Sequence, residues 1–291
     1  MIVPAYWAEG RVHEKRDGKQ VTIRRFGWSD ESQAAAQAHA DDRAREAFAA
    51  FKASGTTARF EYKRAYNGAD GVPIREEILE RHGDTIITRN GYGARCLNTP
   101  NVLFADVDVR TEGFAATMRN TFGGLLRFVA PKLAQDPWVA AEERIRAWAA
   151  TQPRAKWRLY RTPAGFRLLA VHRTYASDDP EVARCFDALG VDPIYVRMCT
   201  RQRCFRARVS PKPWRVGITK HLGPAHAAWP IKPERMPQRE GWVAMYERAS
   251  KGHASCRFVA EFGEARVDPQ ADAVRALHDA MSGAERDLPL A

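Results

Sequence analysis

Asn101-Val-Leu-Phe104-Ala-Asp106-Val-Asp108-Val-Arg110 is a run of strand-forming residues interrupted by two carboxylates. Side chains alternate along a strand, so Val102, Phe104, Asp106 and Asp108 share one face, with Leu103, Ala105, Val107 and Val109 on the other. Acids at i and i+2 stand about 7 Å apart at Cα. From there their oxygens can converge on a hard divalent cation, Mg²⁺ or Mn²⁺. The plainer reading is that the two acids mark where the strand leaves the core and meets water.

The rest of the chain adds charge of the opposite sign. It has 291 residues, 45% of them hydrophobic, enough for a substantial core, and a formal charge of +11. A cationic excess favours polyanionic partners, nucleic acid first. Apolar runs fall short of a membrane span, which excludes a helical transmembrane protein. The opening residues do not read as a signal peptide, because Arg11, Lys15 and Arg16 follow so soon. Five scattered cysteines (Cys96, Cys185, Cys199, Cys204, Cys256) suit a reduced, cytoplasmic protein.

Taken in order, residues 11–26 predict a β-hairpin turning at Asp17-Gly18, followed by Ser29 as helix cap and an Ala-rich helix to about Ser54. Another strand is expected at Arg59–Tyr66. This unit is either a separate nucleic-acid-gripping module or the edge of the main sheet, the second being preferred. Pro73–Arg81 reads as a short helix and Thr85–Thr88 as a strand ending in the turn Arg89-Asn90-Gly91. Residues 113–151 have a helical pattern, broken near Pro131 and resumed at Asp136-Pro137. Strand, turn and strand follow over 156–172, then a helix from Asp179-Pro180 to Gly190. A basic strand, Cys204–Val209, leads into the rigid loop Ser210-Pro-Lys-Pro-Trp-Arg215. The C-terminal part predicts a helix near 242–249, a strand at 257–262 and a helix over 270–281, with a loose tail from Arg286. Cys199, Cys204, His221 and His226 have a near-finger spacing, but Cys204 falls inside the basic strand and zinc is set aside.

An acidic strand, a strand-turn-strand, and Asp192 with basic residues behind it make up the inventory of phosphoryl transfer. Carboxylates hold metal ions, cations hold phosphates, and further basic groups hold a nucleic-acid backbone. Arg203, Arg206, Arg208, Lys212 and Arg215 supply the positive side, with Arg206 and Arg208 on one strand face.

In order and local wording the chain resembles the archaeo-eukaryotic primase superfamily, in its primase-polymerase branch. Its hydrophobic-Asp-hydrophobic-acid motif is matched by Phe104-Ala-Asp106-Val-Asp108, and its hydrophobic-Asp motif by Val191-Asp192. The basic segment that follows in the family's eukaryotic members is matched by Asp192-Pro-Ile-Tyr195, Arg201-Gln-Arg203-Cys-Phe205-Arg206 and Ser210-Pro-Lys212. The likeness spans roughly residues 102–215. It departs at the histidine of the second motif, where Gly165-Phe-Arg167 places an arginine.

The resemblance implies an α+β fold, a mixed sheet with an RRM-like half and flanking helices. The chain is read as residues 1–98, a primase-polymerase-like core at 99–230, and a helix-strand-helix extension at 231–291, all in one compact unit. The resemblance also implies that Asp106, Asp108 and Asp192 hold Mg²⁺ or Mn²⁺. Arg167, with Gly165 leaving room beside it, Arg203 and Lys212 would hold nucleotide phosphates, while Arg206, Arg208 and Arg215 face nucleic acid. The leading expectation is a metal-dependent nucleotidyltransferase acting on nucleic acid and nucleoside triphosphates. A catalytically silent nucleic-acid-binding protein with the same fold and a metal-dependent nuclease or phosphohydrolase are the alternatives.

Overall fold

Alternation builds the central strands. In the computed structural model, which describes residues 1–16, 19–54, 72–109 and 136–291, the quoted stretch forms the strand Phe104–Asp108. The preceding strands are β1 (Tyr6–Arg16), β2 (Lys19–Ser29), β3 (Glu77–His82), β4 (Thr85–Arg89) and β5 (Arg95–Thr99), which makes Phe104–Asp108 β6. After it come β7 (Trp157–Thr162), β8 (Gly165–Ala170), β9 (Phe205–Arg208) and β10 (Arg257–Phe262). The helices are α1 (Gln33–Ser54), α2 (Pro137–Ala150), α3 (Pro180–Leu189), α4 (Pro193–Gln202), the one-turn α5 (Pro224–Ala227), α6 (Met236–Ser250) and α7 (Pro269–Ser282). The class is α+β.

Among the described residues the single mixed sheet gives way to two four-stranded sheets, ordered β10-β7-β8-β6 and β3-β4-β5-β9, in which every strand pairing is antiparallel. They share one buried core, from Ile87 and Leu97 through Phe104 and Leu168 to Phe205. Tyr195 ties β6 to β9: its hydroxyl lies 3.0 Å from both the Phe104 and Arg206 carbonyl oxygens, to which it can donate. It also accepts from Arg206 N–H at 3.3 Å. The ladders join strands distant in sequence, β5 with β9 and β10 with β7.

Among the described residues the N-terminal hairpin is not an edge of either four-stranded sheet. β1 and β2 pair only with each other among the described residues, and α1 lies across them. Gly10 and Gly27 permit this contact: a Cβ would come within 2.2 Å of Ala40 O at the first and 2.1 Å of Ala40 N at the second. Small residues on both sides, Ala8, Ala36 and Ala40, explain why the helix is alanine-rich. Its cap is Ser32, whose Oγ accepts from Ala35 N–H at 3.1 Å; Ser29 instead accepts from Glu31 N–H. The Asp17-Gly18 turn, the strand expected at Arg59–Tyr66 and all of the helical pattern before Asp136 lie outside the described residues.

Two further expectations are corrected. Pro73–Arg81 is not a helix, because β3 occupies its second half and Glu76 is buried against Arg206. Nor is the C-terminal tail loose. Ala254 N–H donates to Pro289 O and Ala291 N–H to Ala254 O, each at 2.9 Å, and Ala291 is buried. Among the described residues no helix is long and apolar enough to cross a membrane.

Candidate functional site

β6 and β8 run antiparallel in a register that sets Asp106 opposite Arg167 and Asp108 opposite Gly165. Directly opposed positions bring side chains into contact, and here they carry opposite charge. Arg167 Nε donates to Asp106 Oδ1 at 2.7 Å and Nη2 to Oδ2 at 3.1 Å, a bidentate pair. Nη1 donates to Arg208 O at 3.0 Å and approaches His278 Nε2 at 3.1 Å. A guanidinium only donates, so this His278 nitrogen is the acceptor and Nδ1 carries the proton toward Asp279 Oδ1, 2.8 Å away. Burial opposes the Arg167 charge, but the Asp106 carboxylate outweighs it and the pKa is raised. The guanidinium that the resemblance assigns to a triphosphate is therefore committed inside the protein.

Gly165 has a different reason as well. A Cβ there would lie 2.0 Å from Val107 O, so glycine is required for β8 to reach β6, not to leave space for a phosphate.

Asp192 is the N-cap of α4: it accepts from Ile194 N–H at 2.9 Å, with Pro193 in the first turn. That helix start brings it beside the acidic strand. Asp106, Asp108 and Asp192 line one cleft of about 140 Å³, together with Asn90, Tyr92, Arg208 and Lys212. Burial, then the charges of Asp106 and Asp192, pushes the Asp108 carboxyl up, while Lys212 and Arg208 pull it down.

A metal centre asks more of these acids than proximity. Among the described residues no three His, Cys, Asp or Glu side chains are grouped to hold an ion. Both Asp106 oxygens receive Arg167, and Asp192 caps its helix. The donor set as arranged does not fit the three-carboxylate Mg²⁺ or Mn²⁺ site that the resemblance implies.

The basic side divides sharply. Arg206, at 5% exposure, is paired with Glu76 at 2.7 and 2.8 Å and donates to Asn98 Oδ1 at 3.0 Å. It lines the cleft, but its guanidinium is committed to these internal partners. Arg203 is exposed at the C-cap of α4, in the left-handed region with φ 49°, at the far end of a ten-residue helix from Asp192. It lines no part of the cleft. Arg208 and Lys212 do, and Arg215 lies close enough to act electrostatically on Lys212 and to feel Asp108. Burial first, and then Arg208 and Arg215, push the Lys212 pKa down against the opposite pull of Asp108 and Asp106. Arg208 Nε and Arg215 Nη1 are buried and find no hydrogen-bond partner among the described residues.

Sequence reasoning passed over Glu76, His278, Asn90 and Tyr92. Asn90 alone carried a signal, the turn Asn90-Gly91; its Oδ1 accepts from Tyr92 N–H and Ala94 N–H at 3.2 and 3.0 Å and shapes that turn. Comparison of the chain with protein-family models, curated proteins and solved structures gave no match. The cleft is therefore read from its own chemistry.

The raised Asp108 pKa fixes the sign of one prediction. Ionising Asp108 destabilises the fold; the penalty is absent below the unfolded carboxylate pKa, grows as pH rises from there, and is complete once pH has risen through the folded one. Asp108→Asn should raise Tm at neutral pH, by a margin that shrinks on acidification. A lowered Tm at neutral pH would mean that Lys212 and Arg208 over-compensate the charge.

Proposed function

We propose that this protein binds nucleic acid and nucleotide phosphates at the cleft, within a primase-polymerase-like architecture. One observation carries the reading: Arg208, Lys212 and Arg215 crowd together at the cleft, close enough for each arginine to act on the lysine. Three neighbouring cations repel one another. A phosphate in the cleft relieves this by neutralising the cluster and by accepting from Arg208 and Lys212, the two of them that line it.

Nucleotidyl transfer is the second reading, favoured by the three acids that line the same cleft. It stands behind binding, in the reverse of the order expected from sequence, because the Arg167 fork already occupies Asp106. Primer extension with labelled nucleotides separates the two: incorporation supports transfer, and binding without incorporation supports the first reading.

The binding itself has a quantitative test. Affinity for single-stranded DNA should fall as salt rises, and Lys212→Ala should flatten the log–log slope by about 0.7, the value for one lost phosphate contact on a single strand. An unchanged slope would place the footprint elsewhere, the basic hairpin β1–β2 being the next candidate.

A further inference from the structure

Trp214 is the most exposed large hydrophobic side chain among the described residues, at 47%. An indole left that open forgoes the burial that usually makes tryptophan stabilising. Its backbone is nonetheless held firmly. It is the middle residue of a single 3₁₀ turn, Pro213–Arg215, with Pro211 and Pro213 buried on either side of Lys212. Arg215 N–H donates to Lys212 O at 2.9 Å, and Val216 and Ile218 N–H donate to Pro213 O at 3.1 and 3.0 Å.

The ring is held as well. Tyr92 meets it at 5.4 Å between centroids with planes 61° apart, and His221 at 5.8 Å and 76°. Lys212 Nζ lies 5.4 Å from its centroid. Tyr92 and Lys212 also line the cleft, so the open indole stands on the basic side of that cleft.

We propose that Trp214 is a stacking platform for an unpaired nucleobase whose adjoining phosphates are held by Lys212, Arg208 and Arg215. This rests on the phosphate-binding reading of the cleft and names its ligand class as single-stranded nucleic acid. Every base presents a π-face, so stacking tolerates any sequence, while the cations track the backbone. A paired base inside a duplex has no such face to give. Because the turn and its aromatic neighbours are in place before binding, little ordering is required when the base arrives.

The test compares a short labelled oligothymidine with an abasic strand of the same length, by fluorescence anisotropy on the full chain. Trp214→Leu should weaken oligothymidine binding by roughly 5- to 150-fold, the range for one stacked base. It should leave the abasic strand nearly unchanged, and Trp214→Phe should recover most of the loss. Parallel titrations with a nucleoside triphosphate and with tripolyphosphate show whose base is stacked; a base-dependent loss confined to the triphosphate would overturn the assignment to a strand. Equal losses on the oligothymidine and the abasic strand, or none on either, would overturn stacking while the phosphate reading stands. Wild-type protein that binds neither strand would overturn the phosphate reading and this proposal with it.

Discussion

Glu76→Ala should lower stability by about 3–5 kcal/mol, the range for breaking a buried ion pair from one side. Glu76 and Arg206 are each 5% exposed. The Glu76 carboxylate accepts from Arg206 Nη2 at 2.7 and 2.8 Å and from Thr88 Oγ1 at 2.7 Å. Asn98 completes the network, accepting from Arg206 Nη1 and donating to Ile86 O, each at 3.0 Å. Removing the carboxylate leaves a guanidinium with neither counter-charge nor water. A domain with ordinary stability of about 5–15 kcal/mol would lose a large share of it. Glu76→Leu combined with Arg206→Met should recover most of the loss, since a packed apolar pair replaces a buried ionic one at little net change. Urea unfolding of the single and double variants measures both. A single-variant loss below about 1 kcal/mol would mean that the pair behaves like an exposed one.

That network also shows where the sequence stops being legible. Alternation put Arg206 and Arg208 on one strand face correctly, but period two cannot say whether the face meets water or another element. Both line the cleft, but Arg206 is buried and paired with Glu76, 130 residues away, while Arg208 is not. The same ion pair overrides the helix that Pro73 and its glutamates suggest, because Glu76 and Glu77 are held by Arg206, Arg89 and Arg239. Local signals fared better. Asp136-Pro137 and Asp179-Pro180 cap α2 and α3 where expected. Asp192-Pro193 is an equally good helix start, and taking it only as a carboxylate misses α4. The tail after Arg286 was illegible for another reason: backbone hydrogen bonds to Ala254 fix it, and backbone groups are the same in any sequence.

Arg167 faces Asp106 as the strand pattern implies, and its burial decides what the acids are able to do. Asp106→Ala should be destabilising by about 3–5 kcal/mol, because the side chain of Arg167 is 3% exposed and its charge would be stranded. Arg167→Ala should be milder, about 1–3 kcal/mol, because the Asp106 side chain is 34% exposed and can hydrate once released. The opposite order would place the unpaired charge on the wrong side of the pair. The functional consequence follows from the same geometry. In the wild type both Asp106 oxygens are taken by the guanidinium, so Mn²⁺ should give no heat of binding in calorimetry. Arg167→Gln frees a carboxylate that shares a strand face and a cleft with Asp108, and heat should then appear. Adding Asp108→Asn to that variant should abolish it. Wild-type heat that disappears in Asp108→Asn alone would show that the arginine yields to a cation, and nucleotidyl transfer would become the leading reading of the cleft.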